Sequence, residues 1–268
     1  PLSGARPTAS PFPSQAGAPA RSRRPDTLPG RAGTFRAGCV DDRSRPELAR
    51  QWDERAERSP PRSARDLTLQ GVLELDAGRR EEALVLLREA RRQDPTNPFA
   101  WLALGSCLAR LGDTAAAAEA FGACSTFDPL SEWPYYHRGV MELAVGLPDQ
   151  ARADFDRAIR ARPNFAEAYF NRALARETLG EWDGALADLD QAVRLGLTST
   201  RVYFVRSSVR KRLGDAAGAA ADFSEGLRRT PNDPDSFVAR GVARLREGAD
   251  PALALADFEQ ASRLDPWN

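Results

Sequence analysis

The sequence predicts an all-α fold, an α-solenoid of about six stacked helix pairs, on three ladders of residues. Gly78, Gly112, Gly146, Gly180, Gly214 and Gly248 recur every 34 residues. Ala83, Ala117, Ala151, Ala185, Ala219 and Ala254 are each followed four residues later by a large apolar one, in order Leu87, Phe121, Phe155, Leu189, Phe223 and Phe258. Pro95, Pro129, Pro163 and Pro231 form the third ladder, with Leu197 on the missing rung. Pro266 comes one residue late because "REGADPALA" holds one inserted residue.

Each element of the unit follows from its residues. An apolar stripe at helical spacing runs up to the Gly, and a residue without Cβ can take the left-handed conformation that closes a first helix. The small and large residues four apart share one face of a second helix of roughly a dozen residues. Proline then stops that helix and suits the start of the next. A helix pair of this size cannot bury its own apolar face, so each unit must stack on its neighbours. The units span about 64–97, 98–131, 132–165, 166–199, 200–233 and 234–268.

Ahead of the ladders the composition changes. Residues 1–45 are crowded with Pro, Arg, Ser, Gly and Ala and are expected to form a disordered linker, because they offer too little apolar area to offset ordering entropy. In "PELARQWDERAER", Ala49, Ala56 and Pro61 continue the small-residue and Pro columns, so residues 46–61 are expected as an orphan second helix capping the first unit, although Asp53 stands on the large apolar position. The start at Pro1 without Met, and an end just after Pro266 without a polar capping helix, lead to the expectation of a piece of a longer chain. The flank of the last helix around Leu255 is then a candidate for end-to-end self-association.

Composition narrows the function classes. Thirty-eight basic residues balance thirty-eight acidic ones, which removes the broad positive field of a general nucleic-acid or membrane-surface binder. No apolar run approaches the ~18 residues of a membrane span. Cys39, Cys107 and Cys124 form neither a CxxC pair nor an even-numbered framework, which favours a reducing compartment, the cytoplasm. Lys211 is the only lysine, a bias in keeping with a GC-rich, bacterial genome. With one His and one Lys, and with no phosphate loop, GxSxG elbow, HExxH or Cys/His cluster, the chain offers no catalytic or metal-ligating set, and no cofactor is expected.

With these ladders in hand, "WLALGSCLARLGDTAAAAEAFGACSTFDP" resembles the tetratricopeptide repeat, a 34-residue pattern. Trp101, Leu104, Gly105, Ala117, Phe121 and Pro129 fall on its aromatic, Leu-Gly, Ala, Phe and Pro positions, and the resemblance covers Ala64 to Asn268. Gln70, Leu197 and Gly226 depart from the pattern locally. The resemblance implies a right-handed superhelix, first helices lining a concave face, and partner proteins or peptides held there.

That implication selects candidate site residues. Leu102, Tyr136, Phe170, Phe204 and Val238 follow the leading aromatic column; His137 and Asn171 lie next to them, and Leu174 and Ser208 one turn further on. They describe an apolar, aromatic floor, with Arg201, Lys211, Arg212 and Arg246 placing positive charge around its later half. One variant of the family clamps a partner's terminal carboxylate with Lys and Asn across three repeats. Asn171 matches its middle element, but Trp133, His137, Arg201 and Val205 do not match the flanking ones, which argues against that use.

A charge pattern recurs as well. Arg138, Arg172, Arg206 and Arg240 share one phase of the first helices, and Asp154, Asp188, Asp222 and Asp257 share one phase of the second. The first two units have neither, showing Gln70 and Leu104 opposite Leu86 and Ala120. Pairing within a unit leaves no orphan, so four intra-unit salt bridges are predicted. The chain is thus expected to be a protein-binding scaffold and not an enzyme. The alternative is the non-catalytic end of a larger enzyme, such as a bacterial serine/threonine kinase that joins its kinase domain to such repeats through a Pro/Arg-rich linker.

Overall fold

In the computed structural model, which describes residues 63–264 other than 247 and 249, twelve α-helices follow one another and no strand occurs among the described residues. They are α1 (Ala64–Asp76), α2 (Arg80–Gln93), α3 (Pro98–Arg110), α4 (Thr114–Phe127), α5 (Glu132–Ala144) and α6 (Pro148–Ala161). Then come α7 (Ala166–Leu179), α8 (Trp182–Arg194), α9 (Thr200–Arg212), α10 (Ala216–Arg228), α11 (Pro234–Arg246) and α12 (Pro251–Leu264). The expected linker over 1–45 and the expected cap over 46–61 lie outside the described residues.

Local chemistry sets the helix ends. Asn97, Asp113 and Asp215 each accept a hydrogen bond from a backbone N–H in the first turn of α3, α4 and α10, at 3.0, 3.1 and 2.8 Å. All six ladder glycines have φ between 69° and 82°, so each first helix ends in the left-handed conformation expected of it. Where Leu197 replaces the proline, Gly196 supplies another such residue, with φ 89°, and ends α8 instead.

Packing explains the other ladders. The ladder alanines are buried, as are Leu87, Phe121, Phe155 and Leu189. Gly71, Gly105, Gly139 and Gly241 of the first helices lie beneath the large residue of their own unit: a methyl group there would come within 2.7 Å of Leu87, 2.6 Å of Phe121, 2.9 Å of Phe155 and 2.7 Å of Phe258. Absence of a side chain lets the two helices approach. Gly105→Ala is therefore expected to lower stability by about 1–3 kcal/mol through overpacking, outweighing alanine's helix preference of about 1 kcal/mol. A thermal melt at or above the wild-type midpoint would refute this.

Neighbouring first helices touch directly, α1 with α3, α3 with α5, α5 with α7 and α9 with α11, whereas second helices make no comparable contact with one another among the described residues. First helices therefore converge and form the inner wall of the stack.

Candidate protein-binding face

Between the first and second helices of the last four units the structure is closed by charge. Arg138 grips Asp154 with two hydrogen bonds of 2.5 and 2.7 Å, Arg172 grips Asp188 at 2.8 and 2.5 Å, Arg206 grips Asp222 at 2.9 and 2.5 Å, and Arg240 grips Asp257 at 3.0 and 2.6 Å. The four predicted intra-unit pairs are all present. Their carboxylates are 2–4% exposed, a depth at which a charge persists only when paired and hydrogen-bonded.

Two further layers escaped the sequence reading. Arg176, Arg210 and Arg244, one turn after the predicted arginines, reach the same aspartates at 2.7, 3.0 and 2.8 Å. Arg172 and Arg206 also reach back to Asp156 and Asp190 of the preceding unit at 2.6 and 2.9 Å. That column reads Gly122, Asp156, Asp190, Ser224, so Arg240 finds no carboxylate there and donates to the Arg229 carbonyl instead. Periodicity held both signals.

Glu142 breaks the arginine column. It stands where the next three units have Arg176, Arg210 and Arg244, close to Asp154, with Arg138 at 3.7 Å. One of its carboxyl oxygens is buried without a partner. Burial, then repulsion from Asp154, pushes its pKa up to about 7.

On the inner wall, the candidate residues divide. Leu102, Leu174 and Asn171 are half-buried, Ser208 is exposed, and Val238 is 40% exposed. The Asn171 amide donates to the Tyr136 hydroxyl at 3.1 Å and to the Glu167 carbonyl at 3.0 Å. Arg201 is tied to Asp235 at 2.7 Å.

Of the expected aromatic floor Phe170 is buried, whereas Tyr136 and Phe204 are half-buried. Phe170 is only 8% exposed and joins the core formed with Ala173, Ala185, Leu189 and Val202, with the Arg201 guanidinium 5.6 Å over its ring. Phe204 turns toward α10, edge-on to Phe223 at 5.5 Å and into the space over Gly226. Tyr136 packs on Phe165 at 4.7 Å and on Phe155 at 6.1 Å. A column number fixes the face of a helix, but the ring swings to whichever neighbour leaves volume, here the small residues of the second helices. Gly226, where the other units have Cys or Ala, marked that volume in advance.

His137 is likewise no free polar contact. Its ring stacks on Phe121 at 5.2 Å and Trp133 at 6.0 Å, its Nε2 is buried without a partner, and burial lowers its pKa to about 4, leaving it neutral at pH 7. Arg162 lies over Trp133 and Phe165 at 5.8 and 4.9 Å, completing this cluster.

The two cysteines among the described residues are shielded. The Cys107 and Cys124 thiols are buried, which pushes the pKa of both up, that of Cys124 to about 12. Among the described residues no three His, Cys, Asp or Glu side chains converge as metal ligands, and no helix is long and apolar enough to cross a membrane.

Comparison with known proteins agrees with this architecture. The tetratricopeptide repeat family model matches residues 68–126 and 138–197. The mitochondrial import receptor subunits TOM70 of Rattus norvegicus and Mus musculus are each 42% identical over 48 residues, 18% of this chain and 8% of the receptor. The chain therefore spans only a small part of those relatives. Among solved structures, a tetratricopeptide repeat protein from Parabacteroides merdae superimposes with a TM-score of 0.66 at 19% identity, covering 81% of this chain and 85% of the other. The thermophilic repeat protein TTC0263 of Thermus thermophilus gives 0.54 at 25% identity, over 68% of this chain and all of that one.

Proposed function

Because the chain belongs to the tetratricopeptide repeat family, whose members are in general non-catalytic scaffolds for protein–protein interaction, we propose that it holds a partner protein or peptide against the inner wall of first helices. One contrast carries the reading. Between the two helices of a unit the buried aspartates and their arginines consume one another, whereas along the inner wall the apolar Leu102 and Leu174 are half-buried and Val238 and the polar Ser208 are exposed. A face with unspent apolar area and hydrogen-bonding groups is the one a partner can desolvate.

Partners recovered by affinity capture on the wild-type chain are expected to fall about tenfold with Asn171→Ala and Leu174→Ser combined, since a few central contacts dominate an interface. Arg160→Ser, on the exposed side of α6, is expected to leave recovery unchanged. Equal recovery on all three folded proteins would contradict the proposal.

A further inference from the structure

One cleft inside the stack stays open. Over α3, between α2 and α4, lies a cavity of about 440 Å³ with Arg88, Arg91 and Glu119 at its mouth and Leu104, Leu108 and Ala120 on its floor. The floor side chains are buried and the mouth side chains exposed.

The cleft sits where the charge lattice is interrupted. In units 4 and 5 the equivalent space is filled, because Arg172 spans from Asp156 to Asp188 and Arg206 from Asp190 to Asp222. On the same columns in units 1 and 2, Leu104 stands for Arg172, Ala120 for Asp188 and Arg88 for Asp156. The filling side chain is gone, and a cation holds the place of the acceptor carboxylate.

That cation is unanswered. Arg88 has no hydrogen bond or ion pair among the described residues, and Glu119, facing it from α4, forms no ion pair there either. Glu89 is taken by Arg92 at 2.7 Å. Arg91 lies over the Trp101 ring at 5.2 Å, and the Pro95 carbonyl holds the Trp101 Nε1 at 2.7 Å, so ring and guanidinium form a fixed wall.

We infer that this cleft docks a partner segment in which one apolar side chain stands beside a carboxylate, the side chain entering over Leu104 and Leu108 and the carboxylate meeting Arg88. An apolar group is selected because the floor offers no hydrogen-bonding side chain, so a polar group placed there loses water without compensation. A carboxylate is selected because Arg172 and Arg206 grip one at the equivalent place in units 4 and 5. A protein segment is selected over a free small molecule because an open mouth leaves much of a small ligand in water, whereas flanking residues anchor a segment. The mouth belongs to second helices, so this surface is independent of whatever the inner wall holds.

The probes are three synthetic peptides with capped ends: one with a Phe between two glutamates, one with glutamines for the glutamates, and one with Ala for the Phe. Binding to the full chain is followed by fluorescence anisotropy and by the methyl NMR signals of Leu104 and Leu108. The Phe and glutamate probe is expected to bind at least about tenfold more tightly than either control and to shift those methyl signals. Arg88→Glu with Arg91→Glu is expected to weaken it about tenfold with circular dichroism unchanged. Arg88→Asp, Leu104→Arg and Ala120→Asp together install the unit 4 set and are expected to abolish binding by filling the cleft; should that variant lose its helices, the double variant decides. Asn171→Ala with Leu174→Ser is expected to have no effect on this probe.

Equal binding of the three peptides, or binding of none, overturns the inference. If Asn171→Ala with Leu174→Ser weakens the probe and Arg88→Glu with Arg91→Glu does not, the inner wall stands as the partner face and this inference falls. Binding that emerges only in a Trp52→Ala chain overturns it as well, by making the chain's own "RQWDER" segment the occupant.

Discussion

Asp188→Ala lowers the unfolding free energy of the array by about 3–5 kcal/mol, the expected cost of removing one partner from a buried charge set. The loss is large because Asp188 accepts from both Arg172 and Arg176 and is 3% exposed, so its removal leaves two guanidinium groups facing each other in a site with little water. Unit 2 shows how the same layer is built without charge, with Leu104, Leu108 and Ala120 on the equivalent positions. Transplanting that set by adding Arg172→Leu and Arg176→Leu to Asp188→Ala is therefore expected to recover most of the stability. The groups left behind, Asp156 and Glu181, are 35% and 39% exposed and can turn to water. Urea unfolding of the three proteins decides the matter. A single variant within about 0.5 kcal/mol of wild type would show that the lattice contributes no more than surface ion pairs do, and a triple variant no better than the single would show that the stranded guanidinium groups are not the source of the loss.

Glu142 is expected to make the array less stable as pH rises. Its folded pKa lies near 7, against 4.5 for the free side chain, so the folded state keeps a proton that the unfolded state gives up. The stabilisation is complete below about pH 4.5, declines as pH rises through 7, and is gone above it. A shift of this size is worth about 3 kcal/mol in full and roughly 1–2 kcal/mol after solvent screening. Glu142→Gln should remove the decline, leaving the variant more stable than wild type at pH 8 and close to it at pH 4.5. Glu142→Arg should go further, since arginine in this column bonds the buried aspartate in each of the next three units. Parallel pH profiles for wild type and Glu142→Gln would place the titration elsewhere.

Legibility in the sequence followed how tightly a position is constrained. The six ladder glycines could be read because each needs a positive φ, and Gly105 belongs where it does because Phe121 lies on it. The Arg138–Asp154 set could be read because buried charges must occur in matched numbers. Glu142 was legible on the same rule, as an acid in a column of arginines, and so was the link to Asp156 and Asp190. The inner wall was less legible. Column position put Leu102, Asn171, Leu174 and Ser208 on first helices, but it could not say that Phe170 turns into the core or that Phe204 fills the space over Gly226. Ring direction depends on volume across an interface, which a single column does not contain.

Hydrogen exchange of the full chain, with and without a partner recovered by affinity capture, addresses the inner wall as the partner face most directly. The account predicts that bound partner slows exchange at α3, α5, α7, α9 and α11 and leaves α4, α6, α8 and α10 unchanged. Slowing confined to those second helices would contradict it.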